Sequence, residues 1–276
     1  MPPIEKIVPL ETSHIPFVMR LNEAAGWNQT EKDWARVISV EPEGCFALFA
    51  DGVLASTATA VCFGRALAWI GMVLTDPAFR GRGYARRLME HALEFLDRRG
   101  MEWIKLDATD MGRPLYLRLG FEDEAPVERW VLDNVPAMPR VDLPPYEPDP
   151  ALDFEAFGAC RSRMLELLSA EGAASIPGEG FAMARAGAKA DYFGPCVCRS
   201  PQAARRFLEW FLSRSPGRSA AWDILPTNVE AVRLAREFGF ERRRQLVRQV
   251  RPGPAAGQPL PHNDAYVFAI AAFEYG

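Results

Sequence analysis

Histidine, cysteine and lysine are scarce in this chain. Its 276 residues include 3 histidines, 5 cysteines and only 4 lysines. An odd cysteine count without any C-x-x-C pair excludes a disulfide framework and the common zinc and redox patterns. His14, His91 and His262 have no metal-ligand spacing to one another, so no metal is expected. Long apolar runs are also missing. None approaches the roughly 18 residues that span a bilayer, so no membrane partner is expected. The opening Met-Pro-Pro-Ile-Glu-Lys lacks the charged-then-apolar pattern of a signal peptide, which points to the cytoplasm. Nor is there an excess of positive charge. Lys and Arg number 32 against 36 Asp and Glu, a net charge of −4, which argues against a nucleic-acid binder. Hydrophobic residues at 49% and charged ones at 25% describe an ordinary globular chain rather than a disordered one.

Proline is plentiful in one place. Residues 134–150 hold six prolines in 17 positions, a stretch that cannot lie inside a helix or central strand. It reads as a semi-rigid spacer. The expected organisation is therefore a domain over 1–135, a linker over 136–150 and a second domain over 151–276.

The first half opens with a helix near 13–25. Asp51-Gly52 between two apolar runs predicts a two-residue hairpin, because both turn residues need positive φ. A turn at Gly64-Arg65 adds a third antiparallel strand over 67–74. Ala85, Leu88, Met89, Ala92, Leu93 and Leu96 then form one apolar helix face, stopped by Gly100. A strand over 103–108, a helix from Pro114 to Gly120 and a strand over 127–132 complete the half. The second half repeats the order. Gly194 lies 123 residues after Gly71, and Gly239 lies 119 after Gly120. Ser200-Pro201 starts one helix, and Thr227-Asn-Val-Glu230 reads as a capping box for another. The expected class is α/β (α+β), a mixed, mostly antiparallel central sheet flanked by helices, duplicated along the chain.

The chemistry should lie in Met72-Val-Leu-Thr-Asp-Pro-Ala-Phe-Arg-Gly-Arg-Gly-Tyr-Ala-Arg-Arg-Leu88. A strand feeds a loop of Gly and Arg that opens an amphipathic helix. The first N–H groups of a helix have no intrahelical partner and attract anions. Gly81 and Gly83 let a phosphate approach the backbone. Arg80, Arg82 and Arg86 add positive charge at the rim. The loop is not a P-loop, since no Gly-Lys-Ser/Thr follows, and it lacks the full G-x-G-x-x-G spacing.

Arg80-x-x-Gly83-x-Ala85, after Val73-Leu-Thr-Asp-Pro77, resembles the acetyl-CoA loop of the GNAT (GCN5-related) N-acetyltransferase superfamily. Leu115-Tyr116-Leu-Arg-Leu-Gly120-Phe121 resembles that family's second signature, in the right order. The likeness covers roughly residues 4–133. The segments Gly26-Trp27-Asn28-Gln29, Trp69-Ile-Gly-Met72, Leu106-Asp-Ala-Thr109 and Phe273-Glu-Tyr-Gly276 are similar to a bacterial tandem group. The resemblance implies an acyl-CoA N-acyltransferase fold with acetyl-CoA as cosubstrate. The pantetheine arm would pair with Val73, Leu74 and Thr75 in a V between splayed strands. The pyrophosphate would rest on the N–H groups of Gly81, Arg82, Gly83, Tyr84, Ala85 and Arg86, beside Arg80. The N–H of Leu74 or a neighbour would stabilise the oxyanion.

Tyr116 matches the family's general-acid position, with packing of its ring as the other reading. Asp107 is the first candidate base, with Glu23 and Asp110 as alternatives, and it could equally be a structural carboxylate. Trp27 and Asn28, with Glu23, are candidates for the acceptor pocket, or else a core Trp and a helix cap. The second half has no Arg-x-x-Gly-x-Gly/Ala, and Ala235 stands at the Tyr116 position, so it reads as a degenerate copy. The implied activity is transfer of an acetyl group to a primary amine of a small molecule by direct attack. A non-catalytic acyl-CoA sensor and a peptide or protein N-acetyltransferase are the alternatives, and a homodimer is a possible assembly.

Overall fold

The computed structural model describes residues 4–276. The reading of Met1-Pro-Pro3 lies outside them. The first half contributes β1 (Glu5–Pro9), α1 (Ile15–Ala24), α2 (Glu31–Val40), β2 (Cys45–Ala50), β3 (Val53–Phe63), β4 (Leu67–Thr75), α3 (Tyr84–Arg98), β5 (Trp103–Ala108), α4 (Arg113–Arg118) and β6 (Glu122–Leu132). The second contributes α5 (Pro150–Phe157), α6 (Ser162–Ser169), β7 (Ala173–Ile176), β8 (Gly180–Arg185), β9 (Asp191–Cys198), α7 (Pro201–Leu212), β10 (Ala220–Ile224), α8 (Val229–Glu237), β11 (Glu241–Pro252) and β12 (Val267–Ala269). The expected hairpin forms between β2 and β3, with Asp51 and Gly52 both at positive φ. The predicted α3 face packs as expected, with Leu88, Met89, Ala92, Leu93 and Leu96 all buried.

All strands belong to one sheet, in the order β1-β2-β3-β4-β5-β11-β6-β10-β9-β8-β7, with β12 paired to β9. The order shows that each half gives its last long strand to the other. β11 pairs with β5 and β6 with β10, both antiparallel, and the exchanged strands pair with each other. The sheet is thus continuous where composition suggests a division. The proline-rich stretch does not hang free. Val135 N–H donates to Arg218 O, and Tyr146 packs its ring on Phe181.

The exchange carries a matched pair of ion clamps. Arg248 on β11 donates through Nε and Nη2 to Asp107 on β5, at 2.9 and 3.1 Å. Arg129 on β6 donates in the same way to Asp223 on β10, at 2.7 and 2.6 Å. Each arginine also lies over an aromatic ring of its new neighbour, Trp69 for Arg248 and Tyr192 for Arg129. Two strands that exchange and two clamps in equivalent registers make the duplication structural.

The antiparallel pairing of β6 with β11 also turns the halves end for end. β4 and β5 run one way along the sheet, and β9 and β10 run the other. The turn-bearing end of the second half therefore lies level with the open end of the first.

Two readings need adjustment. Helix α2 went unpredicted, although Thr30 and Asp33 cap it reciprocally. The cap of α8 is Asn228, whose side chain accepts from Ala231 N–H at 3.1 Å, not Thr227. Thr227 instead donates to Asp264 across a loop.

Candidate active site

The site begins with a separation of strands. β4 and β5 pair in parallel only from Leu67/Trp103 to Trp69/Lys105. β4 then continues to Thr75 and β5 to Ala108 without pairing, which opens a V between them. A bulge deepens it. Opposite the single Ala58 of β3, β4 places both Met72 and Val73, and Met72 takes φ +48°. Thr57 Oγ1 donates to Met72 O at 2.9 Å, and Ser56 Oγ to Leu74 O at 2.6 Å, so both carbonyls face β3. In a trans peptide the next N–H points the opposite way. Val73 and Thr75 therefore turn their N–H groups into the V. Leu74 turns its own towards Thr57, its register partner, because Asp76 N–H, two residues on, donates to Ala55 O. Leu74 thus turns its N–H out of the V, while its neighbours Val73 and Thr75 turn theirs in.

The V leads to the start of α3. Gly81 and Gly83 take φ +77° and +80°, where a side chain is strained. A Cβ at either would meet nothing within 4 Å, so the space before them is open. The first helical bond in this turn is Arg87 N–H to Gly83 O. Among the described residues, the six successive N–H groups of Gly81, Arg82, Gly83, Tyr84, Ala85 and Arg86 find no acceptor. They form a concave array of donors at the positive end of a 15-residue helix. Arg80, Arg82 and Arg86 are exposed around it. Arg86 makes a surface pair with Glu90, and Tyr84 points inward to donate to Glu5 at 2.8 Å.

The second half has lost both parts. Its helix α7 caps itself, with Ser200 Oγ accepting from Ala203 N–H, and Pro201 has no donor. Its own V opens beyond Phe193/Trp222 but is filled by the chain. β12 pairs with β9, Ile270 N–H donates to Asp223 O at 3.1 Å, and Trp222 Nε1 donates to Phe268 O at 2.8 Å. A Cβ at Gly194 would lie 2.2 Å from Ile270 O, so only glycine admits this segment.

Two sequence models match this chain. Residues 12–121 match the acetyltransferase (GNAT) family, and residues 150–269 match an acetyltransferase (GNAT) domain. The chain belongs to the GNAT acetyltransferase family, as a tandem of two GNAT domains. A candidate acetyltransferase from Pyrococcus horikoshii superposes with a TM-score of 0.84 at 23% identity, covering 99% of this chain and 96% of its own. A GCN5-related N-acetyltransferase from Sphaerobacter thermophilus gives 0.64 at 17%, covering 92% and 98%. A tandem GNAT protein from the clavulanic acid biosynthesis pathway gives 0.64 at 16%, covering 92% and 100%. At these identities the likeness is one of fold. No curated protein matches the sequence. No described helix is long and apolar enough to cross a membrane, and the described residues contain no cluster of three His, Cys, Asp or Glu placed to hold a metal.

Within this GNAT frame the remaining site residues fall as follows. Tyr116 lies on α4, buried beside Phe121 and under Gly112, and burial pushes its phenol up to about 12. Asp107 has its side chain fully buried, and both oxygens are taken by Arg248. Burial raises its carboxyl above the ordinary value against the pull of Arg248. The same pair recurs as Asp223–Arg129 in the half without a cradle, so Asp107 acts as a strand clamp rather than a free base. It is thus the structural carboxylate that the sequence left open, with Arg248 as its partner. Glu23 and Asp110 are exposed, and Trp27 is half-buried against the core beside α1. Asn28 spends its amide on the second half, accepting from the N–H of Lys189 and Ala190 and donating to Ala190 O. It docks the two domains together.

Sequence reasoning missed Glu274. Its backbone crosses the face of β4 so closely that a Cβ at Gly71 would lie 2.5 Å from Glu274 O. Trp69 Nε1 holds the crossing by donating to Phe273 O at 3.0 Å. No local pattern marks this contact. The only hint was the Phe273-Glu-Tyr-Gly276 likeness at the far end of the chain.

Proposed function

We propose that the first domain binds acetyl-CoA and transfers its acetyl group to a primary amine of a small molecule. The observation that carries this is the joining of an unpaired V on β4 to six unpartnered N–H groups at the start of α3. The pantetheine amides would pair with Val73 and Thr75, and the diphosphate would sit on the backbone from Gly81 to Arg86. The N–H of Val73 or Thr75 is aimed where negative charge would develop on the thioester oxygen. Holding amine and thioester together supplies much of the acceleration. A small acceptor is favoured because the second domain closes over the α1–α2 loop through Asn28, narrowing the approach.

Calorimetry with acetyl-CoA, followed by thiol release across a panel of amines, tests the reading. No binding at millimolar acetyl-CoA would overturn it. Gly83→Val is expected to weaken acetyl-CoA binding by about tenfold or more, since a branched side chain enters the donor array at a left-handed position. Its stability cost should be only about 1–2 kcal/mol, from backbone strain alone. Equal loss of affinity and melting temperature in a distant control such as Gly52→Val would show that strain, not the cradle, is responsible.

Tyr116 is assigned to the departing sulfur. With its phenol near 12 and a free thiol near 8.5, complete proton transfer is uphill by about 5 kcal/mol. The hydroxyl therefore acts first as a hydrogen-bond donor to the growing thiolate, and the proton follows as the C–S bond breaks. Tyr116→Phe is expected to lower kcat on the order of 10²-fold. Because a phenol is protonated below its pKa, Tyr116 should impose no alkaline fall in rate below about pH 11. Unchanged kcat in the Phe variant across pH would remove the assignment.

A further inference from the structure

The end-for-end arrangement of the domains leaves a small polar pocket, open to solvent, where the α1–α2 loop meets β6, β8, β9 and the segment that carries Glu274. It has room for about one water-sized group, such as an ammonium head, and is lined by Gln29, Asp33, Arg129, Arg185, Tyr192 and Glu274. These come from both domains. Most of the charges are already spent on one another. Arg129 holds Asp223, and Asp33 is held by Arg36 and lies 3.3 Å from Arg185. Tyr192 donates to Asp223.

Two groups are left over, and both are acceptors. Gln29 Oε1 is buried without any hydrogen-bond partner. Glu274 is only 4% exposed; among the described residues it makes no ion pair, and its one side-chain partner is the neutral Gln29 Nε2 at 3.0 Å. An open pocket whose buried acceptors are unspent suits a ligand that brings N–H donors. We propose that this cavity receives the acceptor substrate as a small primary ammonium, and that Glu274 is the base that deprotonates it. This rests on the reading of the first domain as an acetyltransferase.

The backbone of Glu274 lies on Gly71, two residues before the Val73 N–H that faces the thioester. Glu274 would take one proton from the ammonium. The freed lone pair forms the C–N bond, and the C–S bond breaks with its electrons on sulfur. The second nitrogen proton ends on that sulfur, and Glu274 releases the first to solvent. The charged and titratable groups facing Glu274 are Asp33 from α2, Arg129 from β6, Arg185 from β8, Tyr192 from β9 and the adjoining Tyr275. Burial raises the Glu274 carboxyl above its ordinary value against the pull of Arg185, which moves it towards a useful base.

The test uses the full chain loaded with CoA and titrated calorimetrically with propylamine, ethanolamine and putrescine. Glu274→Gln keeps the shape and the Gln29 contact. It is expected to weaken amine binding about tenfold and to lower kcat/KM for any amine turned over about 100-fold. The acid limb of the pH profile of kcat/KM should vanish, while CoA affinity stays unchanged. Glu274→Asp should restore part of the rate. Amine binding and acid limb unchanged in Glu274→Gln would overturn the proposal, as would no binding of any of the three amines to the CoA-loaded protein. Gln29→Met gives an independent arm, with amine KM expected to rise and an unmoved KM counting against the cavity. Failure of the acetyltransferase reading is distinguishable, because it would appear as absent acetyl-CoA binding in the unaltered chain.

Discussion

Asp107→Ala is expected to cost the fold about 3–5 kcal/mol, the loss seen when one partner of a buried ion pair is removed. The side chain of Asp107 is wholly buried, and among the described residues it is the one carboxylate that the Arg248 guanidinium, 10% exposed, hydrogen-bonds. With the carboxylate gone, that charge loses both hydrogen bonds and is left over the face of Trp69, with Glu124 and Asp264 acting only from a distance. The damage should extend beyond one domain, since Arg248 belongs to the strand that the second domain inserts next to β5. Asp223→Ala should cost a similar amount by orphaning Arg129, which is also held by a single carboxylate. The double variant Asp107→Ala/Arg248→Ala should lose less than the sum of the single losses, because removing both partners leaves no unpaired charge. Urea titration of the four chains measures this. A loss under about 1 kcal/mol for Asp107→Ala, typical of an exposed pair, together with a large loss of kcat at unchanged stability, would return Asp107 to the role of base.

The local parts of this molecule were legible because they depend on neighbours in sequence. Asp51-Gly52 needs two positive φ values, and the α3 stripe needs a repeat of 3.6. The donor array needs only glycines before a helix. The strand exchange could not be read in this way. β6 and β11 each follow a helix and a Phe after glycine, and no local pattern tells β6 from a partner of β5, or β11 from a partner of β10. A clue was present in the composition of the strands, however. Asp107 and Asp223 are 116 residues apart and Arg129 and Arg248 are 119 apart, close to the glycine offsets. Acidic and basic residues repeated at that spacing mark paired positions, not two independent catalytic groups. The choice between Leu74 and its neighbours is open in the sequence for a different reason. A one-residue bulge reverses which N–H groups face the V, and nothing in the sequence of β4 announces it. Glu274 depends on a contact between residues 203 positions apart, and such contacts leave no local trace.

Gly71→Ala is expected to separate acetyl-CoA binding from acetyl transfer. A Cβ there would meet Glu274 O, Cα and C at 2.5, 2.6 and 2.9 Å. All three are backbone atoms, so no side-chain rotation relieves the clash, and the crossing segment must lift from β4. Overpacking of this kind costs about 1–3 kcal/mol. The same shift displaces Glu274, the proposed base, and a displacement near 1 Å can cost on the order of 10²-fold in rate. The donor array at Gly81–Arg86 lies on a separate loop, so acetyl-CoA affinity should be unchanged. Gly64→Ala serves as the comparison. Gly64 has φ +63° but open space around its Cβ, so the substitution should cost about 1–2 kcal/mol in strain and leave turnover intact. Parallel calorimetry and thiol-release assays on the two variants decide the matter. A fall in acetyl-CoA affinity in Gly71→Ala equal to its fall in rate would show that the crossing segment supports the cradle rather than the acceptor.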